Sequence, residues 1–168
     1  RVFYGSSADH KVYALDLNSG KQLWSFFTEG PVRFAPCVER DRVYVASDDG
    51  CLYCLNSSDG KLIWRFRGGP RDERLLGNEQ MISRWPARSG VLVEGNTAYF
   101  TAGMWGPDGV SVYALNAEDG SVIWKNNTSN LQYMLMPHNN FEGITGVSPQ
   151  GYLALADGIL LVPTGRAM

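Results

Sequence analysis

The sequence predicts an all-β fold: a partial β-propeller of four-stranded antiparallel blades, about three blades plus the start of a fourth. Three observations predict it. Three segments repeat in register, Val12–Trp24, Leu52–Trp64 and Val112–Trp124, each reading apolar-Tyr-small-Leu-(Asp/Asn)-x-x-x-Gly-x-x-apolar-Trp. Their tryptophans stand 40 and then 60 residues apart, and the first interval fits the period of a propeller blade. Nineteen glycines and 12% aromatic residues suit short strands joined by tight turns.

Each element follows from its residues. Val-Tyr-Ala-Leu is a short strand, Asp-x-x-x-Gly a turn whose glycine takes positive φ, and Lys-x-apolar-Trp the returning strand of a hairpin. Upstream lies another strand with an aromatic residue, at Val2–Tyr4, Arg42–Val45 and Thr97–Phe100, and before that a further apolar run at Ala35–Val38 and Val91–Val93. Each unit therefore supplies four strands, named A to D from the axis outward. The units span approximately 1–27, where strand A is missing, 33–66, 88–125 and, in part, 150–168. Long loops at 67–88 and 126–149 join D to A. A B-to-C expansion at Met104–Asp108 falls on the same face as these loops. A repeat array elaborated on one face is expected to bind there.

With 44% hydrophobic and 19% charged residues, the 168-residue chain is expected to fold around a core. A net charge of −2 gives no general basic field for nucleic acid, and no apolar run approaches a membrane span. The chain opens at Arg1 and stops at Met168 after a strand-like run, as expected of a piece of a longer polypeptide. Three such blades and part of a fourth do not close a ring, so the remaining blades of a parent propeller are the first expected partners.

The repeated small-Leu-(Asp/Asn)-x-x-x-Gly-x-x-x-Trp pattern resembles the tryptophan-docking motif of the quinoprotein-like β-propellers, the PQQ-like repeat family. The resemblance covers essentially the whole chain. It implies a structural docking role for Trp24, Trp64 and Trp124, with Gly20, Gly60 and Gly120 in the turns, and an extracytoplasmic location. All three indoles are expected to be buried, Trp24 the least because one neighbouring blade is missing. The family holds PQQ-dependent dehydrogenases and non-enzymatic members alike. The resemblance alone admits PQQ as a cofactor; the sequence itself shows none. The vicinal Cys-Cys pair of the alcohol dehydrogenases and a Cys-x-x-Cys-His haem motif do not occur in it.

No catalytic set and no metal site stand out. Cys51 and Cys54 are three apart on one strand and so face opposite ways, and zinc has no support. Asp9, Asp49 and Asp108 read as turn residues, and His10 as a turn residue as well. Arginine carries the strongest functional signal. Six arginines fall between residues 65 and 88, Arg84 among them. Arg33 and Arg88 each lie 11 residues before a strand-B aromatic, Tyr44 and Tyr99. The shared repeat position places both at the inner mouth, where their forks could hold a carboxylate or phosphate. Trp85, Trp105 and His138 lie in the expansions and are candidates to line the same ligand site. The expected function is a non-catalytic binding scaffold, with a protein, glycan or small anionic ligand on the loop-rich face. The alternative is part of a quinoprotein oxidoreductase whose chemistry the cofactor carries.

Overall fold

The computed structural model describes residues 1–77, 79–135 and 142–163. Strands β1 (Val2–Ser6), β2 (Lys11–Leu15) and β3 (Gln22–Phe27) form a three-stranded antiparallel sheet in that order. Strands β4 (Cys37–Glu39), β5 (Arg42–Ala46), β6 (Cys51–Asn56) and β7 (Leu62–Arg67) form a four-stranded sheet. The long connection that follows is not irregular throughout: β8 (Arg74–Gly77) and β9 (Gln80–Ser83) make a hairpin inside it. After β10 (Ser89–Gly90), strands β11 (Leu92–Glu94), β12 (Thr97–Ala102), β13 (Ser111–Asn116) and β14 (Val122–Asn126) make the third sheet. One 3-10 turn at Gly106–Asp108 interrupts its β12–β13 connection.

A second inserted hairpin pairs β15 (Gln132–Leu135) with β16 (Glu142–Thr145). The chain then passes β17 (Gly151–Tyr152) into a two-stranded sheet of β18 (Ala154–Ala156) and β19 (Ile159–Leu161). Among the described residues the pairing is antiparallel except at one place: β10 and β17, at the starts of successive units, pair in parallel over two residues.

The repeat holds down to the backbone. Gly20, Gly60 and Gly120 have φ of 68°, 74° and 76°, and each N–H donates to the carbonyl four residues earlier at 2.9 Å. A register shift follows at the same place in each unit, between Ala14 and Leu15, Cys54 and Leu55, and Ala114 and Leu115. The strand-B aromatics align less simply. Ala14 faces Phe3, whereas Cys54 faces Tyr44 and Ala114 faces Tyr99, so Phe3 and not Tyr4 occupies the shared position. Each of these rings lies about 6 Å from its own unit's tryptophan: 5.7 Å for Phe3–Trp24, 5.9 Å for Tyr44–Trp64 and 6.0 Å for Tyr99–Trp124.

The middle sheet is covered on both faces, which is why β6 (Cys-Leu-Tyr-Cys-Leu) is buried along its length rather than alternately. Cys51, Tyr53 and Leu55 join Val12, Ala14 and Trp24 in one core. Leu52 and Cys54 join Trp64, Phe100 and Leu115 in the other. Both cysteines are buried free thiols on opposite faces, and burial raises the Cys51 thiol to about 12 and the Cys54 thiol to about 11.

The tryptophans reverse one expectation. Trp24 is 8% exposed and Trp64 9%, but Trp124 is 39% exposed. The reason is direction. Trp24 lies over Gly60 of the next unit and its Nε1 donates to the Ser57 carbonyl at 3.1 Å; Trp64 lies over Gly120 and donates to the Ala117 carbonyl at 3.1 Å. Each indole thus reaches forward along the chain, and Trp124 has no described turn to reach.

Candidate functional site

The expanded face is built around the hairpin β8–β9. Its base is sewn to the second sheet, with the Ser83 N–H donating to the Asp48 carbonyl at 2.7 Å and the Ala87 N–H to the Ser47 carbonyl at 3.1 Å. Its first strand pairs Arg74 with Glu29, between the first two sheets. Its second strand sets Gln80 Oε1 3.1 Å from His10 Nε2, so His10 is a packed turn residue rather than a merely solvated one. Arg84 bridges Glu73 at 2.7 Å and Asp108 at 2.6 Å, the latter in the third unit's B-to-C turn. The hairpin therefore straddles the turns of three successive units.

The arginine-rich segment is paired throughout. Arg65 meets Glu29 at 3.1 Å, Arg67 meets Asp72 at 3.2 Å and Arg71 meets Glu73 at 2.6 Å. Hydrogen bonds from Arg84 and Arg71 hold the Glu73 carboxyl below its ordinary range, and those that Arg84 donates to Asp108 and Glu73 push its guanidinium up. The segment's arginines become a network once Glu29 and Asp108 are brought in from elsewhere.

Arg33 and Arg88 do converge, and what they converge on is Asp48. Arg33 Nε lies 2.6 Å from Asp48 Oδ2; Arg88 donates Nε to Oδ1 at 3.0 Å and Nη2 to Oδ2 at 2.9 Å. Asp48 is 1% exposed, and its N–H donates to the Pro31 carbonyl at 2.8 Å. The bidentate fork expected to receive a ligand is filled by the protein's own carboxylate. Asp48 escaped the sequence reading because Asp-Asp-Gly explains itself as a turn. The signal was its lack of a charged counterpart, since the first unit has Ser7-Ala8 before the matching Asp9.

Trp85 does not offer a stacking platform. It is buried, its Nε1 donates to the Asp108 carbonyl at 2.6 Å, and Arg71 and Arg84 lie 5.6 and 5.9 Å from its ring. It pins its own loop. Trp105, just before the 3-10 turn, is partly exposed on the same face. His138 lies outside the described residues.

Tyr152, which no sequence feature marks, adds to the inner mouth. The Tyr152 ring lies so close over Gly90 that a Cβ there would be 2.2 Å from it; its hydroxyl accepts from the Ala35 N–H at 3.2 Å and its ring meets Phe34 edge-on at 5.3 Å. In the turns, Tyr53 donates to Asp49 at 2.5 Å and Tyr13 donates to Asp9, a repeated Asp-x-x-x-Tyr clasp. Asp49 is engaged through both of its oxygens and Asp9 through Oδ2, and the described residues contain no group of three His, Cys, Asp or Glu able to hold a metal ion.

PQQ, a flat quinone bearing carboxylates, needs cationic donors and an open aromatic slot. The residues at this mouth do not fit it: the Arg88 fork is engaged by Asp48 and the Gly90 surface is covered by Tyr152.

Comparison with known proteins identifies the repeat. Tetrathionate hydrolase of Acidithiobacillus ferrooxidans is 26% identical over 151 residues, which cover 90% of this chain and 24% of that protein. Quinoprotein ethanol dehydrogenase of Pseudomonas putida is 24% identical, covering 73% of this chain and 21% of its own length. Outer membrane protein assembly factor BamB of Salmonella typhimurium is 32% identical over 90 residues, covering 54% of this chain and 20% of its own length. The chain thus spans no more than a quarter of these relatives. Among solved structures, BamB from Moraxella catarrhalis superposes with a TM-score of 0.64 at 15% identity, covering 94% of this chain and 41% of that one. A europium-containing methanol dehydrogenase superposes at 0.56 and 16% identity, covering 74% and 22%. These neighbours share the fold, an antiparallel β-propeller, across both assembly-factor and dehydrogenase proteins. The family model described as outer membrane protein assembly factor BamB matches residues 1–133, and the chain belongs to that family of PQQ-like repeat propellers.

Proposed function

We propose that the chain is a non-catalytic binding module, an arc of a propeller scaffold whose expanded face meets a protein partner outside the cytoplasm. The observation that carries this reading is the pair of inserted hairpins. Leu76 and Met81 face each other across the first, and Tyr133 and Ile144 across the second; all four are exposed, Leu76 at 72% and Tyr133 at 68%. The charged side chains around the first hairpin are tied to one another, so its apolar pair stands on a braced support. Exposed apolar groups rimmed by polar ones mark protein contacts. The outer-membrane assembly factors among the relatives support both the scaffold role and the location.

The test is partner capture by the native chain, by Leu76→Lys with Tyr133→Ser, and by Arg40→Ala on the opposite edge, each checked for native circular dichroism. The same partner should be retained by Arg40→Ala and lost by the hairpin variants; equal capture by all three defeats the reading. A second reading, part of a quinoprotein dehydrogenase, is favoured by the dehydrogenase relatives. Dye-linked alcohol oxidation by the parent protein supplied with PQQ would establish it.

A further inference from the structure

We infer that Asp48 is a resident counter-anion, seated where a ligand carboxylate would sit, so that this arc does not take PQQ or another carboxylate through Arg33 and Arg88. The geometry is that of a receptor already filled. Arg88 presents two parallel N–H groups to the two oxygens of one carboxylate, at 3.0 and 2.9 Å, and Arg33 adds a third donor at 2.6 Å. This is the arrangement by which a guanidinium grips a free carboxylate.

The competitor is covalently tethered. Asp48 is fixed by its own N–H to Pro31 and by its carbonyl to Ser83, so its effective concentration at the fork far exceeds that of any dissolved anion. Displacing it would also strand a carboxylate that is 1% exposed, at a large desolvation cost. Tyr152 acts in the same sense on the neighbouring surface. It lies over Gly90 and edge-on to Phe34.

The triad instead joins three stretches of chain: the connection before β4, the β5–β6 turn and the lead into β10. This inference concerns the inner mouth only. The hairpin variants above leave it untouched, so loss of the partner and loss of the clasp are separately visible.

The experiment is chemical rescue. In Asp48→Ala the vacated fork should bind acetate, read as a rise in melting temperature over chloride at equal ionic strength. Its apparent affinity should be ~10- to 100-fold above that of the native chain, the worth of one charge-assisted hydrogen bond. Adding Arg88→Gln should abolish the response. The native chain titrated with PQQ should show no saturable quenching of tryptophan fluorescence. Saturable quenching in the native chain that Arg88→Gln removes overturns the inference, as does a folded Asp48→Ala indifferent to acetate. If the alanine variant does not fold, Asp48→Ser, whose shorter side chain still vacates the fork, takes its place, and the PQQ comparison of the native chain with Arg88→Gln depends on neither.

Discussion

Glu73 shows how much a single residue can hold on this face. It accepts from Arg84 at 2.7 Å and Arg71 at 2.6 Å, and its carboxyl is held low as a result. A depressed folded-state value means that its contribution is present above the unfolded value and is lost as pH falls through the folded one. The melting temperature of Glu73→Gln should therefore lie below that of the native chain near pH 7, and the two curves should merge as the solution is made more acidic than that lowered value. A gap that stays constant with pH would remove the ion pairs as its cause. Cys51, raised to about 12 by burial, should stay protonated at pH 8 and resist a thiol reagent until the chain unfolds, which absorbance under denaturant can follow. At this scale the sequence revealed donors better than acceptors. A repeat position marks Arg33 and Arg88, whereas nothing in the local sequence sets Asp48, Glu29 or Asp108 apart from other acids. A carboxylate's partner is decided by which turns abut in space, and that is not written locally.

At the scale of the element, Gly20, Gly60 and Gly120 occupy the same turn with the same positive φ, yet they differ in what stands above them. A Cβ at Gly20 meets nothing within 4 Å, whereas one at Gly60 would come within 2.7 Å of the Trp24 ring. Gly20→Ala should cost about 1–2 kcal/mol, the backbone term alone. Gly60→Ala should cost that and about 1–3 kcal/mol more for displacing the indole. Urea titration of the two variants checks the difference, and equal costs would mean that Trp24 is not seated on Gly60. Likewise Trp64→Ala should cost about 3–5 kcal/mol and Trp124→Ala clearly less, because its ring has lost only part of its water. The strands, the Gly turns and the outward order of each sheet were legible because they are local and recur three times. The hairpins β8–β9 and β15–β16 were not. Arg-Leu-Leu-Gly and Gln-Met-Ile-Ser lack a clean alternation, and their pairing is fixed by the turns beneath them. The shift that puts Phe3 in place of Tyr4 is a single residue in a turn, invisible to any count of spacings.

For the whole molecule, Trp124 on one outer sheet and Val2 and Tyr4 on the other stay exposed, although the middle sheet is covered on both sides. The 168-residue chain on its own should self-associate with rising concentration, and sedimentation velocity should show it; a concentration-independent monomer would count against this. The propeller architecture was legible because a covered central sheet follows from the repeat, while the seating of Tyr152 beside Ala35 depends on a contact spanning 117 residues of sequence. The forward reach of Trp24 and Trp64 has an implication of another kind. Each unit carries a protruding ring at its tail and a glycine landing near its tail turn, so any copy can follow any other without a new surface being invented. Duplication of one unit in tandem yields a working seam at the first attempt. A gene encoding such a chain can lengthen or shorten by whole units, and the seam between neighbours is inherited ready-made with every copy.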